Sequence, residues 1–305
     1  MKQQTMHVIP DGFYGVYYPL EDARKAMIVM AGDSSDDHLA KCVAAWFRQF
    51  GCAVLAMSAD VKDYGYHSFP LERFETAVEF LGAQGYEKIG IAGASTTGMI
   101  ALSAASHFPK IRLTIALSPS DFIMEGFYQD GKDGAHERPG DNESTLTLHG
   151  EALPYLPFAY RHPQYWEKLQ EEAKEGGDLM AARKMFEESE RLHPLREEEK
   201  IRVEDIQGTV VCIGAEDDVL WNTCRYIRRM EKRLREKPHA CDFHAWTYEH
   251  GTHFVFPESM MRRILPLGSG LLMCTVFRAG RKHPLECRKT RIEIDQKLSA
   301  LMKVW

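Results

Sequence analysis

The run Gly93-Ala-Ser-Thr-Thr-Gly98 follows the apolar stretch Ile89-Gly90-Ile91-Ala92 and precedes Met99-Ile100-Ala101-Leu102. A turn of small residues between an apolar strand and a helix-like stretch is where a reactive side chain can be exposed, as in the Gly-x-Ser-x-Gly nucleophile elbow. Ser95 stands at the serine position, with Thr97 where the second glycine belongs and Gly98 one place later. A serine hydroxyl is a poor nucleophile at neutral pH, so it needs a base in hydrogen-bond reach and an acceptor that fixes the base's tautomer. Both are on offer downstream. After the apolar run Thr209 to Ile213 comes Gly214-Ala-Glu-Asp217-Asp218-Val-Leu-Trp221, and after Phe243 to Tyr248 comes Glu249-His250-Gly251-Thr252-His253.

Alone, each of these residues has a plainer explanation. Small residues fill tight turns, aspartates cap helices, and single histidines commonly lie on surfaces. Serine, acid and histidine in that order, each just past an apolar strand, match the triad order of α/β-hydrolases. Asp217 is the expected acid, because it stands three residues after Gly214 and leaves Asp218 to start the next helix; Glu216 competes more weakly. His253 is the expected base, because the Gly251-Thr252 turn lets it project from the loop tip, with His250 as the alternative. The backbone N–H of Thr96 and that of Asp33, after the strand ending at Met30, are the expected oxyanion donors. A bare turn and helix cap would explain Gly32-Asp33-Ser34 equally well without the triad.

Elements able to position such a site alternate along the chain. A hairpin is expected from Met6 to Tyr18, turned by Pro10-Asp11-Gly12. Strands are then expected at 26–30, 52–56, 88–92, 113–117, 209–213 and 243–248. Helices are expected at 37–50, 70–81, from the serine turn to His107, 221–237 and 289–304, where apolar residues recur at helical spacing. This alternation implies right-handed β-α-β units, hence an α/β fold with a mostly parallel central sheet flanked by helices. Residues 120–205 break the rhythm with a polar loop from Gln129 to Ser144, an aromatic-proline stretch from Leu153 to Trp166 and two charged helices. They are expected to form a helical and loop lid inserted into a core of residues 1–119 and 206–305. Tyr155, Phe158 and Trp166 in this insertion are the expected substrate contacts, although aromatic residues of a lid equally build its own small core.

The bulk properties set limits. The 305 residues are 44% hydrophobic and 27% charged, with a net charge of −6, which provides no overall basic field for nucleic acid or an anionic membrane. The start, MKQQTMHVIPDG, lacks a signal-peptide core, and the stretch from Ile264 to Phe277 is too short and too broken by Pro266, Gly268 and Gly270 to span a bilayer. Seven cysteines without a C-x-x-C pair suit reduced thiols in a cytoplasmic protein better than disulfides or zinc. No metal or cofactor is expected.

Several segments also resemble the C-terminal catalytic domain of the acyl-CoA thioesterase and bile acid-CoA:amino acid N-acyltransferase family, in its bacterial stand-alone form. They are Pro70-Leu-Glu-Arg-Phe-Glu-Thr-Ala-Val-Glu-Phe-Leu81, Leu148-His-Gly-Glu-Ala-Leu-Pro-Tyr-Leu-Pro-Phe158, Ile201-Arg-Val-Glu-Asp-Ile-Gln-Gly208, Asp217-Asp-Val-Leu-Trp221 and Gly251-Thr-His253. The resemblance implies an α/β-hydrolase fold with Ser95 as nucleophile, Asp217 as acid and His253 as base. It also implies a small-molecule acyl ester or thioester as substrate, cleaved by water or passed to an amine. The amino-acid transferases carry cysteine where Ser95 stands, which favours water as the acceptor. Thr97 departs from the elbow pattern, and a β-branched residue there either distorts the turn or is relieved by Gly98. A distorted turn would leave a silent binding protein of the same fold.

Overall fold

The computed structural model describes residues 3–31, 34–59, 65–129, 137–266 and 275–305. Eight strands form one sheet: β1 (Gln4–Met6), β2 (Gly15–Tyr18), β3 (Lys25–Met30), β4 (Cys52–Met57), β5 (Lys88–Ala94), β6 (Ile111–Leu117), β7 (Thr209–Ala215) and β8 (Asp242–Tyr248). Their spatial order is β1-β2-β4-β3-β5-β6-β7-β8. Pairing is antiparallel at β1–β2 and β2–β4, and parallel from β4 onward. The inner strands are continuous apolar runs rather than alternating ones because helices cover both faces of the sheet; β4, Cys-Ala-Val-Leu-Ala-Met, is buried at every position.

One face is covered by α1 (His38–Arg48), through Val43, Trp46 and Phe47, and by the C-terminal helix α8 (Pro284–Val304), through Ile294, Leu298 and Met302. The other is covered by α2 (Glu72–Ala83), α3 (Thr96–His107) and α6 (Thr223–Glu236). Side-chain caps fix two of these starts. Asp37 accepts from the Ala40 N–H at 2.7 Å to open α1, and Asn222 accepts from the Arg225 N–H to open α6. Asp218 therefore does not begin the helix after β7, contrary to expectation.

The insertion between β6 and β7 is more ordered than its sequence suggests. Arg138–Ser144, expected as loop, is a strand paired antiparallel with Glu125–Tyr128. Glu125 is fully buried there, held by Arg161 and by the backbone N–H groups of Asn142 and Phe158. Leu146–Leu148 pairs in parallel with Phe69–Pro70, so α2 begins at Glu72 and the insertion is stitched to the main body. The two charged helices are α4 (Gln164–Gly176) and α5 (Arg183–Leu192). At the N-terminus, the hairpin β1–β2 encloses a turn, Val8–Asp11, interrupted by an extended Ile9 and closed by Gly12 at a φ of 81°.

Parallel pairing brings the carboxyl ends of β3, β5, β6, β7 and β8 to one edge. Met30 pairs with Gly93, Ala94 with Leu117, Leu117 with Ile213, and Ala215 with Tyr248. The loops after these strands open beside one another, the crevice in which open α/β sheets bind ligands. No described helix is long and apolar enough to cross a membrane.

Candidate active site

Ser95 occupies the turn between β5 and α3 with φ 59° and ψ −128°. This strained backbone is rare for a residue with a side chain, and such strain persists where the surroundings enforce it. Gly93 shows the enforcement. A Cβ on Gly93 would lie 2.1 Å from the Thr97 carbonyl oxygen, so the turn closes only over glycine.

Thr97 does not distort the elbow. Its buried hydroxyl accepts from the Ala94 N–H at 2.9 Å and lies 2.8 Å from the Ala94 carbonyl and 3.1 Å from that of Met30. With one proton to donate and two carbonyls in reach, it ties the end of β3 to the end of β5. Close helix–strand packing passes instead to Gly98, where a Cβ would meet the Leu117 carbonyl at 3.0 Å. The shifted glycine thus relieves the departure from Gly-x-Ser-x-Gly.

His253 is buried on the loop after β8, and its Nδ1 lies 3.0 and 2.8 Å from the two carboxyl oxygens of Asp218. Asp217, the expected acid, is not its partner. Asp217 Oδ1 accepts the N–H groups of Gly251 (3.0 Å) and Thr252 (2.7 Å), and Oδ2 faces His250 Nδ1 at 3.2 Å. The reason is strand length. β7 continues through Ala215, in register with Tyr248, and the Glu216 N–H bonds the Tyr248 carbonyl. The two loops then leave side by side, so Asp217 meets the backbone of the histidine loop while Asp218 turns inward. Fully buried Asp218 also accepts from the Leu220 N–H (2.9 Å) and the Thr223 hydroxyl (2.6 Å). The recognisable sequence signal was Thr223, five residues on and able to serve a buried carboxylate.

A carboxylate only accepts hydrogen bonds, so His253 Nδ1 carries the proton and Nε2 is left with a lone pair. That Nε2 is buried and has no hydrogen-bond partner among the described residues. The ring is steadied by Trp221, edge-on at 5.3 Å between centroids. Ser118 donates to the His253 carbonyl at 2.9 Å, and Trp221 Nε1 donates to the Ser118 carbonyl at 3.0 Å. His250 instead stacks on His283 at 3.9 Å, outside the cavity. Burial, with Asp218 nearby, pushes the Cys224 thiol up to about 12, so it offers no competing thiolate.

Ser95, Thr96 and His253 line one cavity of about 990 Å³. Its walls come from α1 (Trp46, Phe47), the segment after His253 (Phe254, Met260) and the insertion (Phe158, Trp166). Phe158 and Trp166, two of the expected substrate contacts, line this cavity. Tyr155 does not: it packs on the hydrophobic core away from the cavity. Thr96 opens α3, where the first N–H groups have no intrahelical acceptor and the helix dipole favours negative charge. Asp33 lies outside the described residues, while its neighbour Ala31 lines the cavity. Among the described residues no cluster of ligating side chains could hold a metal ion.

Residues 69–260, more than half of the chain, match the family described as "BAAT / Acyl-CoA thioester hydrolase C terminal". No curated protein matches the sequence. Among solved structures, the chain is similar to a protein provisionally described as a dienelactone hydrolase from Klebsiella pneumoniae subsp. pneumoniae MGH 78578. There the identity is 10%, the TM-score 0.54, and the coverage 100% of this chain and 99% of that one. It is also similar to a sugar hydrolase (YeeB) from Lactococcus lactis, at 13% identity and a TM-score of 0.51 over 99% of this chain and 100% of that one. At such identities the likeness is one of fold.

Proposed function

Because the chain belongs to the BAAT / acyl-CoA thioester hydrolase C-terminal family and is an α/β-hydrolase, we propose that it cleaves carboxylic esters or acyl thioesters of an apolar acyl group through an acyl-enzyme on Ser95. One observation carries this reading. A serine held in a strained elbow and a buried histidine Nε2 without a partner among the described residues open into the same largely apolar cavity.

In the first half-reaction Ser95 Oγ attacks the acyl carbonyl while His253 Nε2 takes its proton. Asp218, bonded to Nδ1–H, holds the tautomer and stabilises the imidazolium that forms. The negative charge on the carbonyl oxygen falls to the Thr96 N–H at the start of α3. A second donor is assigned to the loop at 31–34, where Asp33 is the expected residue; each such donor contributes about 3 kcal/mol to the transition state. The protonated His253 then gives its proton to the departing alkoxide or thiolate. Water repeats the sequence in reverse and frees the acid. The lid residues Phe158 and Trp166 shape the acyl pocket without entering the proton transfers.

A panel of p-nitrophenyl esters and acyl-CoAs of varied chain length, read as kcat/KM with and without amine acceptors, tests the proposal. Saturable hydrolysis that Ser95→Ala abolishes in a folded protein supports it. Ser95→Ala within tenfold of wild type overturns it, and faster transfer to an amino acid than to water would replace hydrolysis with acyl transfer.

A further inference from the structure

The lid side of the cavity carries one feature that ester cleavage does not require. Glu137 and Gln129 line the cavity together with Phe127, Phe158, Trp166 and Gln170, placing a carboxyl and an amide among mostly apolar side chains. Behind the wall, Tyr165 is buried and its hydroxyl is hydrogen-bonded to Glu137 Oε1. The Gln129 side chain bonds the same carboxyl, yet burial outweighs both bonds and pushes Glu137 up from the ordinary carboxylate range. A carboxyl group offers about four lone-pair positions, and these two neighbours occupy two of them. Glu137 itself lines the cavity, so its remaining capacity is open to a bound group. A polar group on such a wall weakens binding of a purely apolar chain, which would have to desolvate it without pairing it.

We propose that Glu137 and Gln129, backed by Tyr165, form a subsite for a hydroxyl group carried on the substrate's acyl portion, away from the carbonyl that Ser95 attacks. This rests on reading the cavity as the acyl pocket. A hydroxyl can donate to the carboxyl and accept from the amide, so both groups are paired. An ammonium group calls for a full carboxylate charge, which burial disfavours here. The subsite sets specificity and takes no part in bond breaking.

The test compares p-nitrophenyl esters of a medium-chain fatty acid, its monohydroxy positional isomers and the matching amino analogues. For at least one hydroxyl position the wild-type kcat/KM should exceed that of the plain chain by about tenfold, the scale of one buried hydrogen bond. Glu137→Met should erase that preference while leaving hydrolysis of the plain chain within about threefold, and Glu137→Gln should keep most of it. Gln129→Leu, which leaves the Tyr165 bond in place, should lower the preference should Glu137→Met fail to fold. Absence of any hydroxyl preference in the wild type, a preference unchanged in Glu137→Met or Gln129→Leu, or a stronger preference for an amino analogue would each overturn the proposal. Loss of plain-chain hydrolysis in Ser95→Ala is read separately, so failure of this subsite is distinguishable from failure of the serine-hydrolase reading.

Discussion

Exchanging Asp218 for asparagine separates the two adjacent aspartates. Three donors converge on the Asp218 carboxyl: the Leu220 N–H and Thr223 hydroxyl, and His253 Nδ1–H. The Leu220 N–H is a fixed donor at Oδ1, so an asparagine keeps its oxygen there and turns its NH₂ towards the Oδ2 position, 2.8 Å from His253 Nδ1. The threonine hydroxyl can rotate to accept, but the imidazole, 3.0 Å from the retained oxygen and closer, at 2.8 Å, to the new NH₂, pairs with that NH₂ only by becoming the other tautomer. Its proton then sits on Nε2, which can no longer accept one from Ser95. A wrong-tautomer base of this kind lowers kcat by roughly 10⁴-fold, or about 5 kcal/mol. In Asp217→Asn the oxygen still accepts the Gly251 and Thr252 N–H groups, and the NH₂ faces His250, which can change tautomer without consequence for Ser95. That variant should lose less than about tenfold. The assay is kcat/KM on one activated ester, with thermal melts to establish folding. Equal losses in the two variants, or a larger loss in Asp217→Asn, would refute the assignment of Asp218.

His253→Ala should cost about 10³-fold or more in kcat, and His250→Ala less than about tenfold, measured on the same ester; the reverse ranking would move the base to His250. Thr97→Val removes the hydroxyl that bridges β3 and β5 and accepts from the Ala94 N–H, so kcat should fall about tenfold or more with KM little changed, and Thr97→Ser should restore it. If Thr97→Val and Thr97→Ser behave alike, the hydroxyl does not position the elbow. Burial alone would raise Glu204, but Arg233 and Lys237 hold it down to about 2 from an ordinary 4.5, so its contribution to stability is full above about pH 4.5 and is lost as pH falls towards 2. Glu204→Gln should accordingly flatten the acid side of the melting-temperature profile, and an unchanged slope between pH 5 and 3 would contradict that linkage.

The layered fold was legible because inner strands must be apolar on both faces and helices on one, patterns that local sequence records. Most strands and helices fall within a few residues of their expected places, and β5, β7 and α8 only extend further. Ser95 and His253 could be picked out as strand-end residues. Which aspartate partners His253 is not legible, because Asp217 and Asp218 differ only in which way a turn points them, and that follows from the β7–β8 register. Arg138–Ser144 escaped detection for a related reason. Arg-Pro-Gly-Asp-Asn-Glu-Ser has no strand periodicity, and it is extended because it pairs with Glu125–Tyr128. Tyr155 lies outside the cavity lining, and the aromatic content of the insertion does not tell which of its rings face the cavity.

The claim that Ser95 is the nucleophile is tested most directly by treating the folded protein with a fluorophosphonate and locating the adduct by peptide mass mapping. The account predicts one adduct per chain, on the peptide containing Ser95, absent after heat denaturation and absent from a folded Ser95→Ala variant. A folded wild-type protein that stays unlabelled, or that carries the adduct on another residue, would contradict it.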